Sequence, residues 1–337
     1  MKLRVLPCLL LCLLLLSGCP AQAEPVEATF FAMDTIMTLR VYGGDQALLD
    51  RLQGEVLRLE GLWSVTDGDS EIYAANHALG SPVTVSEDTA ALIFQALELG
   101  QDTGGALALT IRPVVQAWGF TTGEYQIPSQ EELDGLLPLV DDSRVELDGT
   151  SLTLPDGAEL DLGAVAKGYT GQHLARLIRE VGVTSALLDL GGNIQTVGCR
   201  PDGDPWRVAV RDPEGEGYAA VLEVEDEAVV TSGGYERYFE QDGVRYWHIL
   251  DPATGQPART GLLSVTVVGP SGTVCDALST ALFVMGPERA ADYWLAREDF
   301  DFLLLHEDGS VTCSEGLEGR LTLSGDWADR EIEVVRR

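Results

Sequence analysis

The stretch Asp161–Gly198, DLGAVAKGYTGQHLARLIREVGVTSALLDLGGNIQTVG, constrains this chain more than any other. It joins a short Asp-Leu-Gly-Ala turn, an amphipathic helix, and a strand that reverses at Gly191-Gly192-Asn193. Leu174, Leu177, Ile178 and Val181 are spaced i, i+3, i+4, i+7, the apolar stripe of a helix. Gly182 stands where a helix C-terminal glycine belongs. Ser185–Leu190 reads as a buried strand, and Gly-Gly-Asn suits a tight turn back. A glycine-bearing turn that feeds a helix N-terminus, with Lys167 in the first turn, is a candidate anion site. Free N–H groups and the helix dipole favour a phosphate there. Most such turns only connect elements, so this feature alone does not decide function.

With 337 residues, the chain can bury a large core as one big domain or two ordinary ones. Its 54 acidic against 22 basic residues, a net charge of −32, exclude a nucleic-acid partner, since phosphate backbones require basic surface. The acidity reads as surface solubility. An acidic protein that handles an anionic nucleotide needs a local cation, so a bound metal is to be looked for.

The first nineteen residues read as addressing. Lys2 and Arg4 give a positive start, and Leu9–Leu16 is an apolar run too short to span as a mature helix. Leu16-Ser17-Gly18-Cys19 resembles the lipobox of bacterial lipoproteins, which implies a signal peptide over 1–18 and a lipid on the Cys19 sulfur. Residues 19–27 would then be a tether, with a membrane-anchored protein facing outside the cytoplasm. Cleavage after Ala23 is the rival, and export follows either way. Cys199, Cys275 and Cys313 remain, without metal-ligand spacing. They read as buried thiols, with one disulfide pair left open.

Along the mature chain, Thr29–Tyr42 is a strand pair or one long strand, Ala47–Trp63 a helix, and Glu87–Leu99 a second helix ending at Gly100. Polar residues through Asn76 read as loop with a short helical piece. Ser129 with Glu132 forms a capping box for a helix to about Leu137. Short strands flank Asp148-Gly149, and beyond Gly198 the chain is mostly strand, with hairpins at Gln241-Asp242-Gly243 and Glu307-Asp308-Gly309. One long helix, Thr273–Met285, intervenes and is stopped by Gly286-Pro287. Elements interleave without a composition break, which gives one α+β catalytic domain over 28–337.

Four scattered histidines and three mature cysteines make no zinc motif and no thiol-protease signature. A hard metal on oxygen ligands is the better expectation. Asp276 and Thr280 suit it, because i, i+4 residues opposite the apolar stripe of that helix point the same way. An aspartate near a helix start is also commonly a cap or dipole partner. His248 ends a strand before the Asp-Pro-x-Thr-Gly turn Asp251–Gly255, a place for a general base or for a partly buried structural histidine.

These signals occur together in one known family. The chain resembles the ApbE family of FAD:protein FMN transferases through Met33-Asp34-Thr35, Ser70–Tyr73 with Asn76, Thr110–Pro113 and Trp118–Phe120. The resemblance continues through Asp161–Tyr169, Leu190–Asn193, Ser232–Tyr238, His248–Gly255 and Asp276–Leu282. It implies an α+β domain of the T-fold kind, with mixed sheets and flanking helices. It also implies FAD as substrate, Mg²⁺ as cofactor, and transfer of FMN to a threonine hydroxyl of an acceptor protein with release of AMP. Exported subunits of membrane redox complexes and exported flavoproteins are acceptors of that type. By motif match, Asp276, Thr280 and the Ala164 carbonyl would hold Mg²⁺, with Ser279 a further ligand. Met33, Asp161 and Lys167 would contact FAD, and Leu250 would line the flavin site. Threonine needs a base to take its proton, and His248 is the candidate, with Asp276 or the metal as alternatives; His248 and Asp276 are thus the catalytic candidates.

Four positions depart from the family pattern. Asp34 stands where glycine is common, Thr66 where an aromatic is, Ala108 where an acid is, and Asn193 where aspartate is. Those changes touch flavin and polar contacts and leave Asp276, Thr280 and Lys167 intact. The alternatives are a magnesium-dependent FAD pyrophosphatase giving FMN and AMP, and a non-catalytic FAD-binding lipoprotein.

Overall fold

The computed structural model describes residues 24–337, so the expected signal peptide, Cys19 and the first part of the tether lie outside the described residues. Nine strands form the central sheet and lie side by side in chain order. They are β1 (Val26–Ala32), β2 (Thr35–Tyr42), β3 (Ser185–Asp189), β4 (Asn193–Val197) and β5 (Ala228–Gly233). Then follow β6 (Leu262–Gly269), β7 (Asp301–His306), β8 (Val311–Ser314) and β9 (Ile332–Val335). Neighbours pair antiparallel except β8 with β9. The register sets Thr38 against Asp189, Asn193 against Val230, and Gly233 against Ser264. One end of the neighbouring strands therefore carries the Met33-Asp34 turn, the Gly191-Gly192 turn and the end of β5 together.

Four long helices, α1 (Gln46–Trp63), α2 (Glu87–Asp102), α3 (Ala166–Glu180) and α4 (Gly272–Met285), belong to the layer on one face. Leu49, Leu52 and Val56 of α1 meet Leu174 and Ile178 of α3 over Met37, Leu39 and Val41 of β2. Ala277, Leu278, Ala281 and Leu282 of α4 pack with Val230, Val265 and Val267. On the other face, strands Trp206–Arg211, Tyr218–Val224 and Leu321–Leu323 form a small sheet. Its Val208, Val210 and Leu222 cover Val229, Val268, Leu303 and Leu305. Alternating strand residues thus feed two cores, as the period of two requires. The result is the single α+β domain expected, with mixed sheets and flanking helices.

Several expectations shift. Thr29–Tyr42 is a hairpin, and β1 starts at Val26, inside the span expected as tether. α2 does not stop at Gly100 but runs to Asp102; that glycine is there for packing, since a Cβ would lie 3.0 Å from the Leu107 carbonyl oxygen. Val181 caps α3 and is half exposed, because the chain turns at Gly182 (φ +84°) before a fourth apolar position can be buried. Pro287 both ends α4 and opens a new helix, Pro287–Leu295, at a position where its missing N–H costs nothing. Arg112–Ala117 is also helical, between the Thr110–Pro113 and Trp118–Phe120 motifs. Cys199, Cys275 and Cys313 are free thiols.

α3 and α4 cross at Gly168 and Gly272. A Cβ on Gly168 would fall inside contact distance of the Gly272 carbonyl oxygen and 2.6 Å from Asp276 Cβ, and one on Gly272 would meet the Gly168 carbonyl. Backbone lies on both sides, so neither neighbour can yield cheaply. Gly168→Ala is expected to lower unfolding free energy by about 1–3 kcal/mol through overpacking. Urea denaturation of the variant against wild type measures it, and a gain in stability would contradict the crossing described.

Candidate functional site

The crossing of α3 and α4 builds the site. The α3 N-cap residue, Val165, has no side chain that can accept from the helix. The acceptor comes from the other helix instead: the Gly168 N–H donates to Asp276 Oδ2 at 2.8 Å. Asp276 is thus a cap, as an aspartate near a helix start can be, but of a neighbouring helix. That N–H is one of the orphan donors of the helix start, and the Ala164 carbonyl, just outside the helix, accepts no backbone hydrogen bond among the described residues. One carboxylate and one carbonyl without a backbone donor stand at the same helix start.

Asp276 is buried, and burial pushes its carboxyl above the usual carboxylate range. Lys167, the Gly168 and Lys167 N–H groups and the Asn193 amide oppose that shift. Lys167 is half-buried and joins no ion pair among the described residues. Its charge is felt by Asp276, Glu236 and His248, which places all three around it. Asn193 is buried on β4, and neither polar atom of its side chain has a partner within hydrogen-bond geometry, although the amide is near enough to Asp276 to favour its charged form.

Thr280 lies one turn beyond Asp276 on α4. Its Oγ1 is 3.3 Å from Ser232 Oγ at the end of β5. Ser279 is fully buried, donating to the Asp276 carbonyl at 2.8 Å and sitting 2.8 Å from Ser232 Oγ. α4 is buried on nearly every side, so the face opposite its apolar stripe looks onto α3 and β5 rather than onto water.

The remaining expected residues ring this point. Met33 has a left-handed backbone (φ +47°), donates its N–H to Glu60 Oε1 at 2.6 Å, and turns its sulfur to the Thr170 hydroxyl on α3. Asp34 is also left-handed (φ +63°), a conformation aspartate tolerates where glycine is common, and pairs with Arg237 at 3.3 Å. Asp161 Oδ1 accepts from the Gly163 N–H at 2.8 Å, which shapes the turn before α3. Leu250 is buried with Val114, Trp118, Phe120 and Leu133, next to the Phe239 and Tyr246 rings. Phe120 in turn meets the His248 ring, their centroids 6.4 Å apart.

His248 keeps some solvent contact but is set among protein atoms, and that burial, with the Arg237 and Lys167 charges, lowers its pKa to about 4. Its Nδ1 is 3.2 Å from the Arg237 carbonyl, which only accepts, so Nδ1 carries the proton and Nε2 keeps its lone pair. Glu236 remains open to solvent at one side, yet burial of its other side pushes it up to about 7, with Asp276 adding to the shift and Lys167 opposing it. Ser232, Glu236, Arg237 and Asn193 had no role from sequence, although each lies inside a motif singled out there. Two surface recesses, around Glu223, Asp226 and Arg320 and around Gln95, Asp102 and Arg297, contain none of these residues.

The donor set can be tested against a metal. Among the described residues no group of three His, Cys, Asp or Glu could hold an ion. A cation here would rest on one carboxylate, one hydroxyl and one carbonyl, an all-oxygen set suited to a hard ion that keeps waters. The Ala164 carbonyl left without a backbone donor fits such a ligand. A lone lysine, a helix start and an all-oxygen donor set are features that suit a phosphate-bearing ligand.

Comparison with known proteins is consistent with such a ligand. The ApbE family profile matches residues 33–304. The FAD:protein FMN transferase of Treponema pallidum is 34% identical over 345 residues, covering 95% of each chain. That of Escherichia coli K12 is 33% identical over 310 residues, 86% of this chain and 87% of the other. The ApbE protein of Thermotoga maritima superposes with a TM-score of 0.82 at 31% identity, covering 88% of this chain and 99% of that one. The flavin transferase ApbE of Vibrio cholerae gives 0.78 at 28% identity, with 90% and 98% covered. This chain belongs to the ApbE family.

A folded-state pKa below the unfolded value means His248 adds stability above about pH 6.5, lost as pH falls through about 4. Imidazole NMR resonances of His248 should accordingly stay those of the neutral ring down to about pH 5 and titrate near 4. A midpoint near 6.5 would contradict the burial described.

Proposed function

We infer that this chain is a flavin transferase, moving the FMN portion of FAD onto an acceptor protein, the activity its relatives' names state. The observation that carries the reading is the meeting of Lys167, Asp276, Thr280 and the unpaired Ala164 carbonyl at the α3–α4 crossing. Attack on a pyrophosphate needs its oxygens neutralised and its two phosphates held still. Lys167 provides a point charge at the helix start that receives them.

We further propose Mg²⁺ as the cofactor, held by the Asp276 carboxylate, the Thr280 hydroxyl and the Ala164 carbonyl. When bound it would neutralise phosphate oxygens as a Lewis acid. The acceptor group proposed is a threonine hydroxyl. Its oxygen forms the new bond to the FMN phosphorus, the bond from that phosphorus to the bridging oxygen breaks, and AMP leaves with that oxygen. The threonine proton goes to His248 Nε2, the lone pair left open by the Arg237 contact; Asp276 or the metal are the alternatives for that role. Met33 and Asp161, at the edges of the crossing, are proposed FAD contacts, with Leu250 in the aromatic nest under the flavin.

Export and a lipid on Cys19 also remain proposals, and both concern residues outside the described ones. No described helix is long and apolar enough to cross a membrane. The acceptor would be an exported flavoprotein or a subunit of a membrane redox complex.

The test is incubation of residues 20–337 with FAD, Mg²⁺ and a threonine-bearing acceptor, read by acceptor mass and soluble nucleotides. The expected result is an FMN-sized mass gain with AMP released. AMP with free FMN and no mass gain would instead indicate hydrolysis. Asp276→Ala is expected to slow transfer by roughly a hundredfold or more, and His248→Ala by about 10²–10⁴-fold. Unchanged transfer by His248→Ala would rule out its role as base.

A further inference from the structure

We propose that Ser232 is a positioning residue: a one-way hydroxyl chain, from Thr280 through Ser232 and Ser279 to the Asp276 carbonyl, turns the Thr280 lone pairs toward the ion. The inference rests on the reading of Asp276, Thr280 and Ala164 as cation ligands and adds a residue that none of the motif matches assigned.

Proton bookkeeping fixes the direction. Each hydroxyl has one proton to give. Ser279 Oγ is 2.8 Å from the Asp276 carbonyl oxygen, which can only accept, so the Ser279 proton is committed there. Ser232 Oγ is 2.8 Å from Ser279 Oγ, and with no proton left on Ser279, Ser232 must donate. In the 3.3 Å contact between Ser232 and Thr280 the proton therefore comes from Thr280. The last hydroxyl of the chain has its proton aimed into the protein and its lone pairs aimed away from Ser232. A hydroxyl binds a hard cation through those lone pairs, and one pointing its proton at the ion would repel it.

Burial holds the arrangement. Ser279 is 0% exposed, so no water can offer its proton another acceptor. Ser232 shares the helix-facing side of β5 with Val230, directly under α4. The chain ends on the backbone of Asp276, the residue whose carboxylate is the other side-chain ligand, so one turn of α4 sets both. This makes Ser279 a brace, not the extra ligand that motif matching suggested. The Thr231–Thr266 pair, 2.8 Å apart, shows what a merely packed hydroxyl pair in the same strands looks like: it connects to no ligating group.

Mn²⁺ serves as the probe, with free ion measured by electron paramagnetic resonance in the presence and absence of FAD. Ser232→Ala should raise the Mn²⁺ dissociation constant roughly tenfold or more, the scale for losing a partner of a metal ligand. Its metal-free thermal transition should stay near that of wild type. Ser232→Thr, which keeps the hydroxyl, should restore binding. Ser279→Ala lets Ser232 turn its proton toward Thr280, so a smaller loss is expected. Wild-type Mn²⁺ affinity in Ser232→Ala overturns the proposal. A loss that Ser232→Thr does not repair, with a lowered metal-free transition, also overturns it, because that is a packing defect. Absence of Mn²⁺ binding in wild type would remove the metal reading itself, and is told apart because every protein in the series then fails alike.

Discussion

The hydrogen bond from the Gly168 N–H to Asp276 Oδ2 is the contact on which the rest of the site depends. It caps a helix that has no cap of its own and locks α3 to α4, beside an Ala164 carbonyl that accepts no backbone hydrogen bond among the described residues. Burying a carboxylate is costly, and the upward push on the Asp276 pKa records that cost. Two backbone N–H groups, an amide and Lys167 offset part of it. A further positive charge at the same point would add to that compensation, which is the physical ground for the cation proposed there.

Such a contact is possible only because two glycines let the helices approach to backbone distance. A side chain at Gly168 or Gly272 would push the two helices apart and strain the reach of the Asp276 carboxylate to the α3 amides. The antiparallel sheet then does the gathering. Strands laid in chain order bring the Met33-Asp34 turn, Gly191-Gly192 and Ser232 to one end of the neighbouring strands, and α3 and α4 start above it. The Arg237 backbone carbonyl links this end to His248, whose ring sits against the aromatic nest around Leu250.

The charge distribution has a local logic that the total conceals. A net charge of −32 would repel a dinucleotide from most of the surface. Lys167, Arg237 and a helix N-terminus meet where Asp276 and Glu236 stand, so the site carries both signs within a few side chains. Surface pairs such as Asp34–Arg237 are too exposed to stabilise the fold much. They order the rim.

Much of the architecture was legible because periodicity is local. The stripe Leu174, Leu177, Ile178, the Ser129 cap and the turn at Gln241-Asp242-Gly243 are each set by residues a few positions apart, and each appears where expected. Boundaries failed where packing overrode local signals, as at Gly100, whose absent side chain serves Leu107 and not a helix end. Val181 matched the helical spacing but fell beyond the last turn, so it stayed at the surface. In the site, spacing on one helix face picked out Asp276 with Thr280 and a helix start picked out Lys167, the resemblance gave them roles, and neither gave their partners from distant segments. The partners, Gly168, Asn193 and Ser232, are 108, 83 and 48 positions from their counterparts Asp276, Asp276 and Thr280. Residue types and spacing determined which helices and strands form and which side chains can carry charge or bind oxygen-seeking ions. Only the tertiary structure decided which distant groups meet, as Gly168 with Asp276 and Ser232 with Thr280, because a hydrogen bond between distant segments has no signature in either segment alone.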